Sequence, residues 1–480
     1  MKHLPRFLLF LLISLNYACY GGSWHSLFDG KSLAGWKANE NSATWSVEDG
    51  VLVSNGPRSH LIYVGDVGNA DFKNFELKAK VKTRPGANSG IFFHTEWQEE
   101  GWLAKGYECQ VINSRNPVKP GQYSERKMTG SLYGIRNVWK SPVNDNEWFD
   151  YHIIVQGKTV RVYVDGTLTV NYTEPENLSR PEKRAGRVLS SGTFALQGHD
   201  PDSIVYYKDI KVMMLPDDSP TTGTAPEDLE FEKKVVELGS RNFPLIDLHV
   251  HMKGGLTAQQ IMETGRKYGF SYGIAMNCGL RMGFETDAEV TEFFRNYKKP
   301  SHSWIAMQAE GREWLDMFSK ESREKFDYVF TDAMTWTNRN GKRMRLWIPD
   351  ETEVGDPEDF MEQLVTQIET IFSSEPVDIY VNPMYLPAEI RDRYDELWTD
   401  ERVDRVIKVL ADNKVALEIS NRLKTPRAKT IRKAKAAGVK LTFGTNNAGD
   451  HPLGRMDYCI QMVQECGLKP DDMWIPGEPR

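Results

Sequence analysis

The chain has 480 residues, 26% of them charged and 40% hydrophobic, which is too much for one ordinary core and implies two or more domains. Its formal net charge of -7 at pH 7 offers no basic footprint for nucleic acid, so no such partner is expected. The densest basic stretch, the nine Lys and Arg positions between Lys414 and Lys440, falls mostly on helical turns and reads as a solvated helix face.

At the N-terminus, Lys2 and Arg6 precede the apolar run Phe7-Leu-Leu-Phe-Leu-Leu-Ile-Ser-Leu15. The run is too short to span a bilayer, and residues 1–22 read as a secretory signal. Cys19 after Ala18 suggests a lipoprotein cleavage site, with Asn16 where such sites normally carry Leu. The expectation is an exported bacterial protein, periplasmic or on the cell surface, touching the membrane only through a lipid on Cys19. The other four cysteines (Cys109, Cys278, Cys459, Cys466) form no dense disulfide framework.

Residues 24–214 carry an all-β pattern. Alternating runs recur, as in Phe75-Glu-Leu-Lys-Ala-Lys-Val81, Tyr151-His-Ile-Ile-Val155 and Val160-Arg-Val-Tyr-Val164. Turn signals punctuate them at Asp49-Gly50, Pro85-Gly86 and Asp165-Gly166. Many short strands rich in aromatic residues predict a β-sandwich. Such sandwiches often bind sugars on a concave face, where Trp and Tyr supply stacking area.

Five motifs carry a resemblance: Phe28-Asp-Gly-Lys-Ser-Leu-Ala-Gly-Trp36, Asn88-Ser-Gly-Ile-Phe-Phe93, Gly106-Tyr-Glu-Cys-Gln-Val111, Thr129-Gly-Ser-Leu-Tyr-Gly134 and Phe194-Ala-Leu-Gln-Gly-His199. In this order they resemble the 3-keto-disaccharide hydrolase domain family, exported proteins of glycoside-degrading bacteria with a concanavalin-like jelly roll. The resemblance implies a small carbohydrate substrate and cleavage of 3-keto-glycosides. A ketone at C3 acidifies the C2 proton, so a base can remove it, the C1 substituent can leave, and water can add back. That route needs a general base, a donor or metal for the enolate and an acid for the departing oxygen. Glu108 and His199 are the candidate catalytic groups. Gln110 shares a strand face with Glu108, and Gln197 ends the strand before His199. Tyr133, Arg136 and Lys208 are candidate donors, and His94 stands where the family usually has Arg. The competing reading for each is a polar residue lining a groove or facing solvent.

Residues 215–240 begin with Leu215-Pro-Asp-Asp-Ser-Pro-Thr-Thr-Gly-Thr-Ala-Pro226, which has little to bury and reads as a linker. A short charged helix over Glu227–Leu238 follows. From 241 to 480 strands and helices alternate. Strands are expected over 243–251, 270–277, 303–309, 326–332, 377–382, 414–420 and 439–445. Helices fill gaps such as Thr257–Tyr268, Asp356–Phe372, Asp400–Asp412 and Thr425–Ala437. This repetition predicts a parallel sheet closed into a seven-stranded α/β barrel, with its site at the C-terminal strand ends.

The stretch Pro244-Leu-Ile-Asp-Leu-His-Val-His-Met252 holds the sharpest signal of this half. His249 and His251 lie two apart on a strand and share one side with Asp247. Two converging imidazoles make half a site for a divalent transition metal. Asn277, Glu310, Asp332, Asn382, Glu418, Asn446, Asp450 and His451 gather at other strand ends. The half resembles the PHP family of metal-dependent phosphoesterases through His249-Val-His251 and Glu310. It departs from that family at Met276-Asn277-Cys278, Asn382-Pro383 and Thr445-Asn446-Asn447-Ala448. The resemblance implies one divalent ion (Zn, Mn or similar) on His249, His251, Glu310 and His451. Two alternatives stay open: an esterase barrel beside a sugar-binding sandwich, and a barrel without catalysis.

Overall fold

A computed structural model describes residues 22–116, 123–178, 180–449 and 453–479. The signal segment, Cys19 and the Asp450–His451 pair lie outside the described residues.

The first half is two antiparallel sheets packed face to face. The larger runs in the order Thr167–Thr173, Thr159–Val164, Phe149–Gln156, Phe75–Thr83, Val205–Met214, Val51–Ser54, Trp45–Glu48, with Trp24–Ser26 also paired to Val205–Met214. The smaller runs Trp36–Ala38, Ser59–Tyr63, Thr193–Gly198, Ser89–Thr95, Tyr107–Val111. In Phe75–Thr83 the buried and half-buried positions alternate without a break, so Phe75, Leu77, Ala79 and Val81 enter the core while the lysines between them face out. The Thr159–Thr173 hairpin turns on Asp165 and Gly166, both at positive φ (44° and 72°), the mirror-image turn whose twist matches its strands.

The second half is a closed barrel of seven parallel strands: Ile246–His251, Ser271–Gly279, Trp304–Glu310, Tyr328–Thr331, Ile379–Tyr380, Ala416–Ser420 and Leu441–Gly444. The ends of each lie within two residues of the expected range, except that the first strand starts three residues late; the fifth keeps only two residues. Helices cover the barrel with one apolar stripe each. Asp400–Asp412, capped by the Thr399 side chain, buries Val403, Val406, Ile407, Val409 and Leu410.

The segment after 215 is not a free tether. Asn74 donates to Pro216 and Asp217 carbonyls, Lys158 N donates to Thr221 Oγ1, and Gly223 N donates to Thr159 Oγ1. The helix Leu229–Ser240 then packs both ways: Phe231 and Val235 belong to the barrel core and Val236 to the sandwich core. Composition flagged a spacer because the segment lacks apolar residues, but polar side chains on the sandwich satisfy its backbone instead.

Candidate functional site

The outer face of the smaller sheet forms the floor of a groove of about 850 Å³. Strand alternation decides which residues reach it. Phe92 pairs with Glu108, Gly90 with Gln110, and Gln197 with His60, so these side chains share one face while Ile91, Phe93, Cys109 and Leu196 enter the core. Gly90 makes room for the acid: a Cβ there would sit 2.8 Å from Glu108 Oε1.

Glu108 is 7% exposed. Gln197 Nε2 donates to its Oε1 at 3.2 Å, and an Arg187 nitrogen lies 4.0 Å from Oε2. Burial pushes its pKa up to about 7, with Arg187 pulling against that rise. Gln110 Nε2 donates to Asn88 Oδ1 at 2.9 Å, and the side-chain carbonyls of Gln110 and Gln197 are buried without partners, free to accept from hydroxyls. At the rim, the ring of Trp102 lies 5.0 Å from that of His199 and is 47% exposed, a stacking surface for a sugar. His199 Nδ1 is held by Asp200 Oδ2 at 2.6 Å, which leaves Nε2 for the groove. Beneath Trp102, burial pushes His60 down to about 4, so this histidine is neutral.

Opposite Glu108 stands a wall of polar groups. Glu125 accepts from Tyr123 (2.6 Å), Tyr133 (2.8 Å) and the fully buried Lys127 ammonium (2.7 Å). Burial would raise Glu125, yet Lys127 and the phenol of Tyr123 together hold it below the ordinary carboxylate value.

The groove thus gathers Glu108, His199, Gln110, Tyr133 and Gln197. Three expected binders lie elsewhere. His94 is 1% exposed: its Nε2 bonds the Lys73 carbonyl, and Ser190 N donates to its Nδ1. Counting in twos from Phe92 puts His94 on the groove face. An extra residue against Thr193–Ala195 and a φ of 55° at His94 reverse that parity. Arg136 is buried between the halves in a bidentate pair with Glu232. Lys208 faces outward from the larger sheet, its ammonium 4.3 Å from the Trp148 ring centre. Sequence reasoning missed Trp102, Glu125, Lys127 and Arg187, which sit outside the strands and leave no periodic signal.

The barrel mouth is a second polar cluster. Rings of His249 and His251 lie 5.2 Å apart, and each has a buried Nε2 without a partner. Glu418 Oε2 holds His249 Nδ1 at 2.6 Å. Asp247 turns to Thr445, accepting from its N–H and hydroxyl. Glu310 accepts from Asn277 and Gln308, both at 2.8 Å, and burial, then Asp332, raises it to about 8. Asn382 bridges Asp332 and Asn446. Among the described residues no three His, Cys, Asp or Glu side chains converge as a metal set, so Glu310 does not join the two imidazoles as a ligand. Asn277, Asn382 and Asn446 occupy strand ends without the charge a cation needs.

Residues 23–213 match the family model described as the 3-keto-alpha-glucoside-1,2-lyase-like domain. The chain is 37% identical over 167 residues to a 3-keto-disaccharide hydrolase of Bacteroides thetaiotaomicron, a match covering 31% of this chain and 57% of that protein. A solved structure from Parabacteroides distasonis, described as a glycosyl hydrolase, is 24% identical at a TM-score of 0.35, covering 41% of this chain and 95% of the other. The zinc-bound histidinol phosphate phosphatase of Lactococcus lactis is 15% identical at a TM-score of 0.33, covering 47% of this chain and 93% of that one.

Proposed function

We propose that the sandwich groove cleaves 3-keto-glycosides by elimination followed by hydration. The observation that carries this reading is Glu108: a carboxylate on the groove floor, held by Gln197, with its pKa raised by burial to about 7. A base is most useful near the working pH. Glu108 takes the C2 proton, the C2–H electron pair forms the C1=C2 bond, and the C1–O bond to the aglycone breaks. Arg187, beside Glu108, balances charge developing on the C3 oxygen. His199, oriented by Asp200, protonates the leaving oxygen. Water then adds across C1=C2, with oxygen on C1 and a proton returned to C2. The family match over residues 23–213 and the relative's printed activity support the substrate class. Turnover of a 3-keto-disaccharide by the full chain tests the reading. His199→Ala is expected to cut it by about two orders of magnitude; no wild-type turnover of any 3-keto-glycoside reduces the groove to a binding surface.

For the barrel, the two orphaned Nε2 atoms are the observation favouring a divalent ion such as Zn or Mn, since a histidine ligand is commonly held at its other nitrogen by a carboxylate, as Glu418 holds His249. Among the described residues the two imidazoles have no third His, Cys, Asp or Glu ligand beside them. Any zinc the full chain retains after desalting is expected to fall to background in the His249→Ala/His251→Ala double variant. Undiminished retention by elemental analysis places the ion elsewhere.

A further inference from the structure

We propose that Asn242, the residue at which the chain enters the barrel half, is a positioning residue for the sandwich groove: it latches the strip Tyr123–Lys127 against the floor that carries Glu108. The inference rests on the reading of the groove as an active site.

Asn242 is 5% exposed, and among the described residues its three side-chain hydrogen bonds all go to this strip. Its Oδ1 accepts from Arg126 N at 2.9 Å and from Lys127 Nζ at 3.1 Å, and its Nδ2 donates to the Ser124 carbonyl at 2.6 Å. The strip needs such help. Residues 123–127 lie in no helix or strand, and among the described residues they make no backbone-to-backbone hydrogen bond. Arg126 adds a second tie to the barrel's C-terminal end through Asp471 (2.9 Å) and Glu478 (3.5 Å). Arg184 reaches the Ser240 carbonyl at 3.2 Å from the groove side.

The strip matters to the chemistry because of what it presents. Glu125, Lys127 and Tyr123 form one charged, hydrogen-bonded unit with Tyr133. Lys127 is a buried ammonium with two close oxygen partners, Glu125 and Asn242 Oδ1. Losing the second leaves that charge under-satisfied and favours release of the strip into water. Glu108 then loses part of its burial, the main cause of its raised pKa. The charges that act on it are Arg187, Glu125, Arg184 and Lys127, of which two belong to the strip. A barrel residue thus sets the environment of a sandwich base, and the second half of the chain serves as scaffold for the first half's site.

The test uses the full chain as wild type, Asn242→Gly and Asn242→Asp. Asn242 has φ 64°, a conformation that Gly and Asp tolerate, so neither change strains the backbone. Asn242→Gly removes the latch, while Asn242→Asp keeps the oxygen acceptor. In the Gly variant the amides of residues 124–128 are expected to exchange deuterium about tenfold faster, with exchange elsewhere unchanged. Its kcat/KM on a 3-keto-disaccharide should fall about tenfold, with the acid limb of the pH profile moved to lower pH. Asn242→Asp, which keeps the acceptor for Arg126 N and Lys127 Nζ but loses the donor to the Ser124 carbonyl, should fall between wild type and the Gly variant in both readouts. Unchanged exchange at 124–128 in the Gly variant overturns the latch. Faster exchange in a chain whose wild type turns over no 3-keto-glycoside upholds the latch and refutes the activity instead.

Discussion

Turnover of a 3-keto-disaccharide is expected to rise with pH through about 7, the value to which burial pushes Glu108. A general base works as the carboxylate, so protonation below that pH removes the active form. Glu108→Gln, which keeps shape and hydrogen bonding but cannot accept the proton, should lose at least about two orders of magnitude in kcat. The same change should stabilise the fold. The ordinary Glu value is 4.5 and the folded one about 7; the folded state therefore holds the proton more tightly than the unfolded chain. The stability this confers is fully present below pH 4.5 and is lost as pH rises through 7. Above pH 7 the buried carboxylate is a penalty on the order of 3 kcal/mol. Glu108→Gln should therefore raise the melting temperature at pH 8 and leave it nearly unchanged at pH 4. A flat activity profile between pH 5 and 8, or near-normal turnover in Glu108→Gln, transfers the base to His199. Gain of stability with loss of activity is the signature of a group kept for chemistry rather than packing.

How far the sequence carried this site follows from where each residue sits. Glu108, Gln110 and Gln197 were legible because they occupy strands whose period of two is unbroken, so a parity count places them on the groove face. His94 fails that count for one reason: the bulge beside it, which no composition signal marks. Lys208 illustrates the opposite error. It follows Tyr207, which is fully buried, so parity alone places it on the outer face, and only its ability to donate points to the groove. The wall from Tyr123 to Lys127 and the arginines at 184 and 187 lie in loops, where no periodicity exists to read. In the barrel, strand–helix repetition fixed seven strands and their order, and the pair of histidines two apart fixed a shared face. The convergence of a third ligand depends on how far strand ends stand apart in space, and Glu310 turns instead to Asn277 and Gln308.

Replacement of Arg136 is expected to damage the joint between the two halves, which it ties together from outside the groove. Its guanidinium makes two 2.9 Å bonds to the Glu232 carboxylate and donates to the carbonyls of Ile135 and Lys267, also at 2.9 Å. Residue 135 belongs to the sandwich, 232 to the connecting helix and 267 to the barrel's first covering helix, so one side chain ties three elements. Its side chain is 2% exposed and that of Glu232 is 7% exposed, and removing one member of such a pair strands the other charge away from water. Arg136→Ala should therefore cost about 3–5 kcal/mol, seen in urea as an earlier transition that splits in two as the halves uncouple. Arg136→Met with Glu232→Leu removes both charges and should recover most of that loss. The recovery stops short because the Ile135 and Lys267 carbonyls then lack a donor, each worth about 1–3 kcal/mol if left buried. KM for the 3-keto substrate should change little in the double variant, since Arg136 lies outside the groove. A single unfolding transition at the wild-type midpoint for Arg136→Ala, together with a raised KM, would return Arg136 to the substrate and leave the joint to the apolar faces of the connecting helix, Phe231 and Val235 on one side and Val236 on the other.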